Sequence, residues 1–401
     1  MDEYLRKMEF NIKLDYLKAF FLSLLFFLPI WYAFETQYAS PAALGIIYAI
    51  SHLLIVFLEL PTGALADLIG RKKTIFMGLL IIGIGWIYIS QAKSAMWLWI
   101  GYFINAVGAA LTSGADTALT FDSLKELKRD KGFAKVSSKS GVIFRTGMIA
   151  STLSGAYLYG INKRLPYLLV GACVFIAALL TLKNTEPKID TEKFTLRSYI
   201  KQTKQGAREL FKNEYIRDFS IYYTFVGGIT WYFLYFLNQS FATEIGFSDI
   251  ERGWLFSVIL MVAAIINYFL VRLKYLSRNR VYLMFPVMMV LGFLPGFWAS
   301  KTLAIFCIFL IQFSGSARFS ILNQYANEEF ESKYRATAVS ALNMGVSLFF
   351  SIISIIGGRI IGVYGPGLMM SLLGVLTIII IAPVARVLST KHKGRTGLSY
   401  S

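Results

Sequence analysis

His52 and Glu59 stand seven residues apart inside one long apolar run. Seven residues at 3.6 per turn return to nearly the same helix face. A histidine and a carboxylate on one stripe could take and release protons near neutral pH. The plainer reading is a hydrogen-bonded packing histidine beside a structural acid. Asn105, Thr112 and Asp116 form a second stripe, at offsets of seven and eleven. Arg145, on the following apolar run, either pairs with Asp116 or reaches back to polar surroundings. Gln312, Ser316 and Asn323 form a third stripe, with Arg318 on a different face of the same run. Arg318 suits an anionic ligand or an acidic partner. Trp231 and Tyr235, with Asn238 and Glu35, could line a cavity suited to amphiphilic, cationic compounds.

Other chemistries lack their residues. Cys173 and Cys307 both lie in apolar runs and read as packed thiols. No Cys/His cluster has metal-ligand spacing, and no Gly-x-x-x-x-Gly-Lys-(Ser/Thr) loop occurs that would cradle a nucleotide. We therefore expect no metal, no cofactor and no catalytic centre.

The elements that must position these groups are membrane helices. Hydrophobic types make up 56% of the 401 residues and charged types 16%, against about a quarter charged in soluble domains. Apolar runs of about 20 residues span a bilayer as helices, because lipid leaves the backbone to satisfy its own hydrogen bonds. Twelve spans are predicted, at 15–34, 41–62, 74–92, 95–118, 141–160, 165–182, 219–239, 252–271, 281–299, 301–321, 336–360 and 367–386. The continuous apolar runs at 74–92 and 165–182 exclude the alternating strands of a β-barrel. The first span is too long for a signal peptide, and no small-residue cleavage site follows Trp31 and Tyr32.

The net charge of +17 is distributed by side. Of 40 Lys and Arg, 31 fall on one set of alternate loops, five on the other and four inside spans. That asymmetry places both termini in the cytoplasm, in a plasma (inner) membrane. It also removes nucleic acid as the natural partner of the charge.

The longest polar interruption, 183–218, divides the spans six and six. Its Leu196, Tyr199, Ile200, Ala207, Leu210 and Phe211 recur at helical spacing, as in a helix lying on a bilayer surface. The halves echo each other. Trp31-Tyr32 matches Trp231-Tyr232, Ser113-Gly114 matches Ser314-Gly315, and Gly155 to Gly160 matches Gly358 to Gly362. The expected fold is all-α and integral to the membrane, with twelve transmembrane helices in two pseudo-symmetric six-helix bundles. Residues 1–182 would form the N-terminal bundle, 183–218 the cytoplasmic linker, and 219–401 the C-terminal bundle and tail.

One loop is more specific. Gly63-Ala64-Leu65-Ala66-Asp67-Leu68-Ile69-Gly70-Arg71-Lys72-Lys73 resembles the signature between helices two and three of the major facilitator superfamily. Glu59-Leu60-Pro61-Thr62 before it resembles the bacterial drug-efflux-like branch, as do Ser113 to Asp116 leading to Asp122-Ser123-Leu124, and Arg335-Ala336-Thr337. The resemblance implies that Gly63, Asp67, Gly70 and Arg71 belong to a gate bracing the cytoplasmic side. Gly63 and Gly70 permit close helix approach and a tight turn. Asp67 can meet a helix N-terminus, and Arg71 can clasp a carboxylate, for which Asp122 is the candidate. The family's basic residue after the Asp is Leu68 here, and the corresponding loop from Arg272 to Arg280 has no Asp.

The expectation is a secondary active transporter working by alternating access as a monomer, exporting small amphiphilic compounds or drugs with a proton as coupling ion. His52, Glu59, Asp116 and Arg145 are the proton-coupling candidates. Glu35, Asn105, Trp231, Tyr235, Asn238, Gln312 and Arg318 are the substrate candidates. The alternative cargo is a specific metabolite: a sugar, peptide, organic anion or siderophore. A membrane enzyme or sensor is the alternative of another class.

Overall fold

A computed structural model describes residues 3–188, 204–272, 277–331 and 335–397, and every regular element among them is helical. Among the described residues seven helical stretches are long and apolar enough to cross a bilayer: Pro41–Glu59, Arg71–Ser90, Ala95–Glu126, Arg278–Trp298, Lys301–Glu329, Thr337–Tyr364 and Pro366–Lys391. Leu165–Thr181 is a shorter apolar helix. The chain is therefore an all-α, multi-pass membrane protein. The expected spans at 15–34, 141–160, 219–239 and 252–271 are largely helical but are not among those seven. The surface helix expected within 183–218 falls mostly outside the described residues, of which 204–209 are helical.

The chain divides into two compact units. One comprises Met1–Ala39, Ile50–Tyr199 and Asp249–Ser257, the other Ser40–Ala49, Ile200–Ser248 and Val258–Ser401. The first contains α1 (Glu3–Ser23), α2 (Trp31–Glu35), most of α3 (Pro41–Ile69), α4 (Arg71–Ser90), α5 (Ala95–Thr112), α6 (Ala115–Glu126), α7 (Phe133–Ile161) and α8 (Leu165–Thr181). Its core joins α4, α6 and α8 through Ile75, Leu79, Leu119, Val170 and Val174, with Phe21, Phe27 and Trp86 packed against them.

Two expected spans are interrupted. The run at 15–34 is not one helix: α1 ends at Ser23 and the chain turns before resuming at Trp31. Helical bonding lost in the turn is replaced across to α7, where Ser151 Oγ accepts from Leu25 N at 3.1 Å and lies 3.2 Å from Ser23 O. The run at 95–118 breaks at Gly114, whose φ of 73° lies in the left-handed region.

The second unit contains α9 (Glu214–Tyr232), a π turn (Phe233–Leu237), α10 (Asn238–Glu244) and the later part of α11 (Asp249–Arg272). It continues with α12 (Arg278–Phe293), α13 (Lys301–Glu329), α14 (Arg335–Tyr364), α15 (Pro366–Leu376), a π turn (Thr377–Ile381) and α16 (Ala382–Gly397). Its core is aromatic, with Phe219, Tyr222, Tyr282, Phe285 and Phe293 fully buried. Pro286 inside α12 has no N–H to give the carbonyl four residues back. Tyr222 supplies it instead, its hydroxyl donating to Tyr282 O at 2.9 Å. A helix in lipid tolerates proline when a neighbour re-satisfies the freed carbonyl.

Candidate functional site

The signature loop makes a sharp turn from α3 into α4. Gly70 has φ +93°, a conformation that favours glycine. The N-terminus of α4 then receives a carboxylate: Arg71 N donates to Glu186 Oε1 at 2.7 Å and Lys72 N to Glu186 Oε2 at 3.0 Å. Exposed N–H groups and the helix dipole make that end favourable for negative charge. The Arg71 guanidinium forms an ion pair with Asp122 on α6, the two side chains being 14% and 10% exposed. The surroundings of Gly63 and the side chain of Asp67 lie outside the described residues, and the acid seen at the N-terminus of α4 is Glu186.

Among the intramembrane candidates, Asp116 pairs with Lys18 of α1, whose side chain is 2% exposed. The pairing of Asp116 with Arg145 weighed from the sequence is thereby corrected; Arg145 is exposed on α7. The α1–α6 crossing decides the matter, because it brings Lys18 against Asp116. The same seam holds Asp15, which accepts from Thr120 Oγ1 at 3.1 Å and from Ser140 Oγ at 2.5 Å. His52 is half-buried on α3, and Glu59 is exposed and accepts from Ser113 Oγ at 2.6 Å. Asn105 is buried, and among the described residues neither of its side-chain polar atoms has a hydrogen-bond partner.

Glu35 is fully buried. Its Oε1 accepts from the hydroxyls of Tyr102 (2.6 Å) and Tyr167 (2.7 Å). Replacing Glu35 by Ala removes this shared acceptor from both buried phenols, at a cost of about 1–3 kcal/mol each. We expect Glu35→Ala to lower the melting temperature in detergent and Glu35→Gln, which keeps an acceptor, to recover most of it. Equal melting temperatures for wild type and Glu35→Ala would show that the phenols find other partners.

In the second unit, Asn238, Gln312 and Arg318 are buried. Trp231 and Tyr235 belong to an aromatic wall, their ring centroids 5.9 Å apart, with Phe319 and Phe350 at 6.2 and 6.4 Å from Trp231. At the start of α12, Arg278 forms ion pairs with both Glu328 and Glu329 at the end of α13. Lys391 Nζ lies 2.9 Å from Glu214 Oε2 and 2.9 Å from Asp218 Oδ2. Its hydrogen bond holds the Glu214 carboxyl below the ordinary carboxylate value. Sequence reading named neither these partners nor Lys18, Glu186, Tyr102 and Tyr167. The adjacent acids Glu328 and Glu329 at the end of an apolar run were the available signal.

These features, long apolar helices with ion pairs at their ends and a charged group in the interior, define a multi-pass helical membrane protein. The profile of the Major Facilitator Superfamily matches residues 17–248 and 219–399. The chain belongs to that superfamily, and it is a transport protein rather than an enzyme. It is 24% identical over 370 residues to the "Uncharacterized MFS-type transporter YxaM" of Bacillus subtilis (strain 168), covering 88% of this chain and 89% of that one. It is 23% identical over 274 residues to "Multidrug resistance protein 2" of the same organism, covering 66% of each. Among solved structures it shares its fold with the nucleoside transporter NupG, with a TM-score of 0.74 at 16% identity over 94% of this chain and 98% of that one.

Proposed function

We propose that this chain is a secondary active carrier of a specific small metabolite, working by alternating access. In this reading it has twelve membrane helices in two six-helix bundles, a linker at 183–218, and both termini in the cytoplasm of the cell that holds it in its plasma membrane. The observation that carries the reading is one device built twice. In the first unit Arg71, opening α4, clasps Asp122 at the end of α6. In the second, Arg278, opening α12, clasps Glu328 and Glu329 at the end of α13. Each clasp ties the loop after one span to the inner end of another within the same unit. Such ties let each bundle move as a body while gates form and break.

The cargo reading moves from amphiphilic drugs toward a defined metabolite. Fixed, buried polar groups such as Asn105, Gln312 and Arg318 suit a ligand of set shape and charge. A shape-tolerant drug site needs repackable apolar surface. The fold is also shared with a nucleoside transporter. Drug export stays as the second reading, supported by the likeness to a multidrug resistance protein.

Purified protein in proteoliposomes, given an imposed proton gradient and no nucleotide, should move one or a few members of a panel of hydrophilic metabolites. It should show saturation and competition among close analogues. Transport of many unrelated lipophilic cations, with no hydrophilic substrate, would establish the drug reading instead. Transport that requires ATP would overturn both.

A further inference from the structure

Arg318 lies on α13 with 1% of its surface exposed, and none of its Nε, Nη1 and Nη2 has a hydrogen-bond partner among the described residues. Three rings surround it. Its Cζ is 5.1 Å from the centroid of Tyr223, 5.9 Å from that of Trp231 and 4.6 Å from that of Phe319. Ring faces attract a cation, but they do not accept the in-plane N–H bonds of the guanidinium. That group presents five donors in a planar fork and stays charged at any relevant pH. The Tyr223 hydroxyl gives its proton to the amide oxygen of Asn323 or of Asn343, the latter at 3.2 Å, and offers the guanidinium at most a neutral lone pair rather than a counter-charge. A buried cation with no anion is strongly unfavourable.

The surroundings are shaped around this group. Gly227 of α9 faces it, and a Cβ there would meet Val346 Cγ2 at 2.7 Å and both Cζ and Nε of Arg318 at 3.0 Å. The wall beside it continues from Trp231 to Tyr235 and Phe350. Tyr235 is 47% exposed, so the wall ends on an accessible face.

We propose that Arg318 is the recognition group for a small organic monoanion with a planar apolar body. The carboxylate of that solute meets the guanidinium fork in two parallel N–H···O bonds. Its ring lies against the wall of Trp231, Tyr235 and Phe319. The three rings bring no second positive charge, which suits a monoanion better than a dianionic phosphate. The inference rests on the carrier reading above and narrows its cargo.

Benzoate is the probe, with benzamide as its neutral match, on the full-length protein purified in detergent. Benzoate should raise the melting temperature saturably, while benzamide and inorganic phosphate should leave it unchanged. Arg318→Gln should weaken benzoate binding at least tenfold. It should also leave the ligand-free melting temperature equal or higher, because an unpaired buried charge has been removed. The proposal is overturned if benzamide stabilises as well as benzoate, or if Arg318→Gln still binds benzoate. It is overturned equally if Arg318→Gln lowers ligand-free stability or fails to fold, since the arginine would then be structural. An Arg318-dependent shift with phosphatidylglycerol micelles but not with benzoate would make this a lipid site and overturn it as well. Because binding is read directly, lost benzoate binding with intact transport of other solutes sinks only this inference. Intact binding with no transport of any solute sinks the carrier reading instead.

Discussion

Asp122→Ala should cut transport at least tenfold, and Arg71→Ala should do the same, with protein still present in the membrane. Each member of this pair is mostly buried, at 14% and 10% side-chain exposure. Removing one takes this counter-ion from the other in a poorly solvated place, a loss of about 2 kcal/mol after allowance for its partial exposure and remaining contacts. A change of that size shifts a two-state equilibrium by roughly thirtyfold. If the clasp holds α4 and α6 together while a gate forms, the loss falls on the gated state and appears as slow turnover. The Arg71→Ala, Asp122→Ala double variant tests this logic, because it strands no charge. It should be less impaired than either single variant. Rates of solute uptake into proteoliposomes, normalised to protein incorporated, provide the measurement. A double variant showing the summed loss of the two singles would mean that the residues act independently, and the clasp would have no part in gating.

Those two residues could be paired from sequence through the loop signature, whose Arg71 can clasp a carboxylate and for which Asp122 is the candidate. Arg71 opens the apolar run at 74–92 and Asp122 stands just beyond the following run at 95–118, so the two lie near the same membrane side. Helix positions were legible because long apolar runs bounded by basic residues have few other uses. What could not be read was which helix crosses which. Lys18 meets Asp116 because α1 lies along α6, and nothing in the spacing of either helix records that neighbour. Glu186 reaches the start of α4 from the chain beyond α8, 115 residues from Arg71. Helix breaks were also hidden. Residues 24–30 read Leu-Leu-Phe-Phe-Leu-Pro-Ile, a composition equally at home in a helix or in a buried turn. Pro29 was the sole local hint, and it stands near the end of the break. The burial of Glu35 was equally invisible, since it depends on the hydroxyls of Tyr102 and Tyr167 arriving from two other helices.

The break after α1 yields the other large expected effect. Gly155 on α7 faces the turn, and a Cβ added there would stand 1.9 Å from the carbonyl oxygen of Phe26. That obstacle is backbone, which has no rotamer by which to move aside. Overpacking ordinarily costs about 1–3 kcal/mol. Here the turn must shift or α7 must withdraw, and withdrawal also pulls Ser151 Oγ from Leu25 N and Ser23 O. Gly155→Ala should therefore cost about 3 kcal/mol or more and leave little monodisperse protein on size-exclusion in detergent. Ser151→Ala separates the two contributions. It keeps the helices close and removes only the hydroxyl, so it should cost about 1–2 kcal/mol and leave the protein monodisperse. Near-wild-type melting of Gly155→Ala would mean that the turn has room to move. The close seating of α7 against it would then not be what holds the first helix broken.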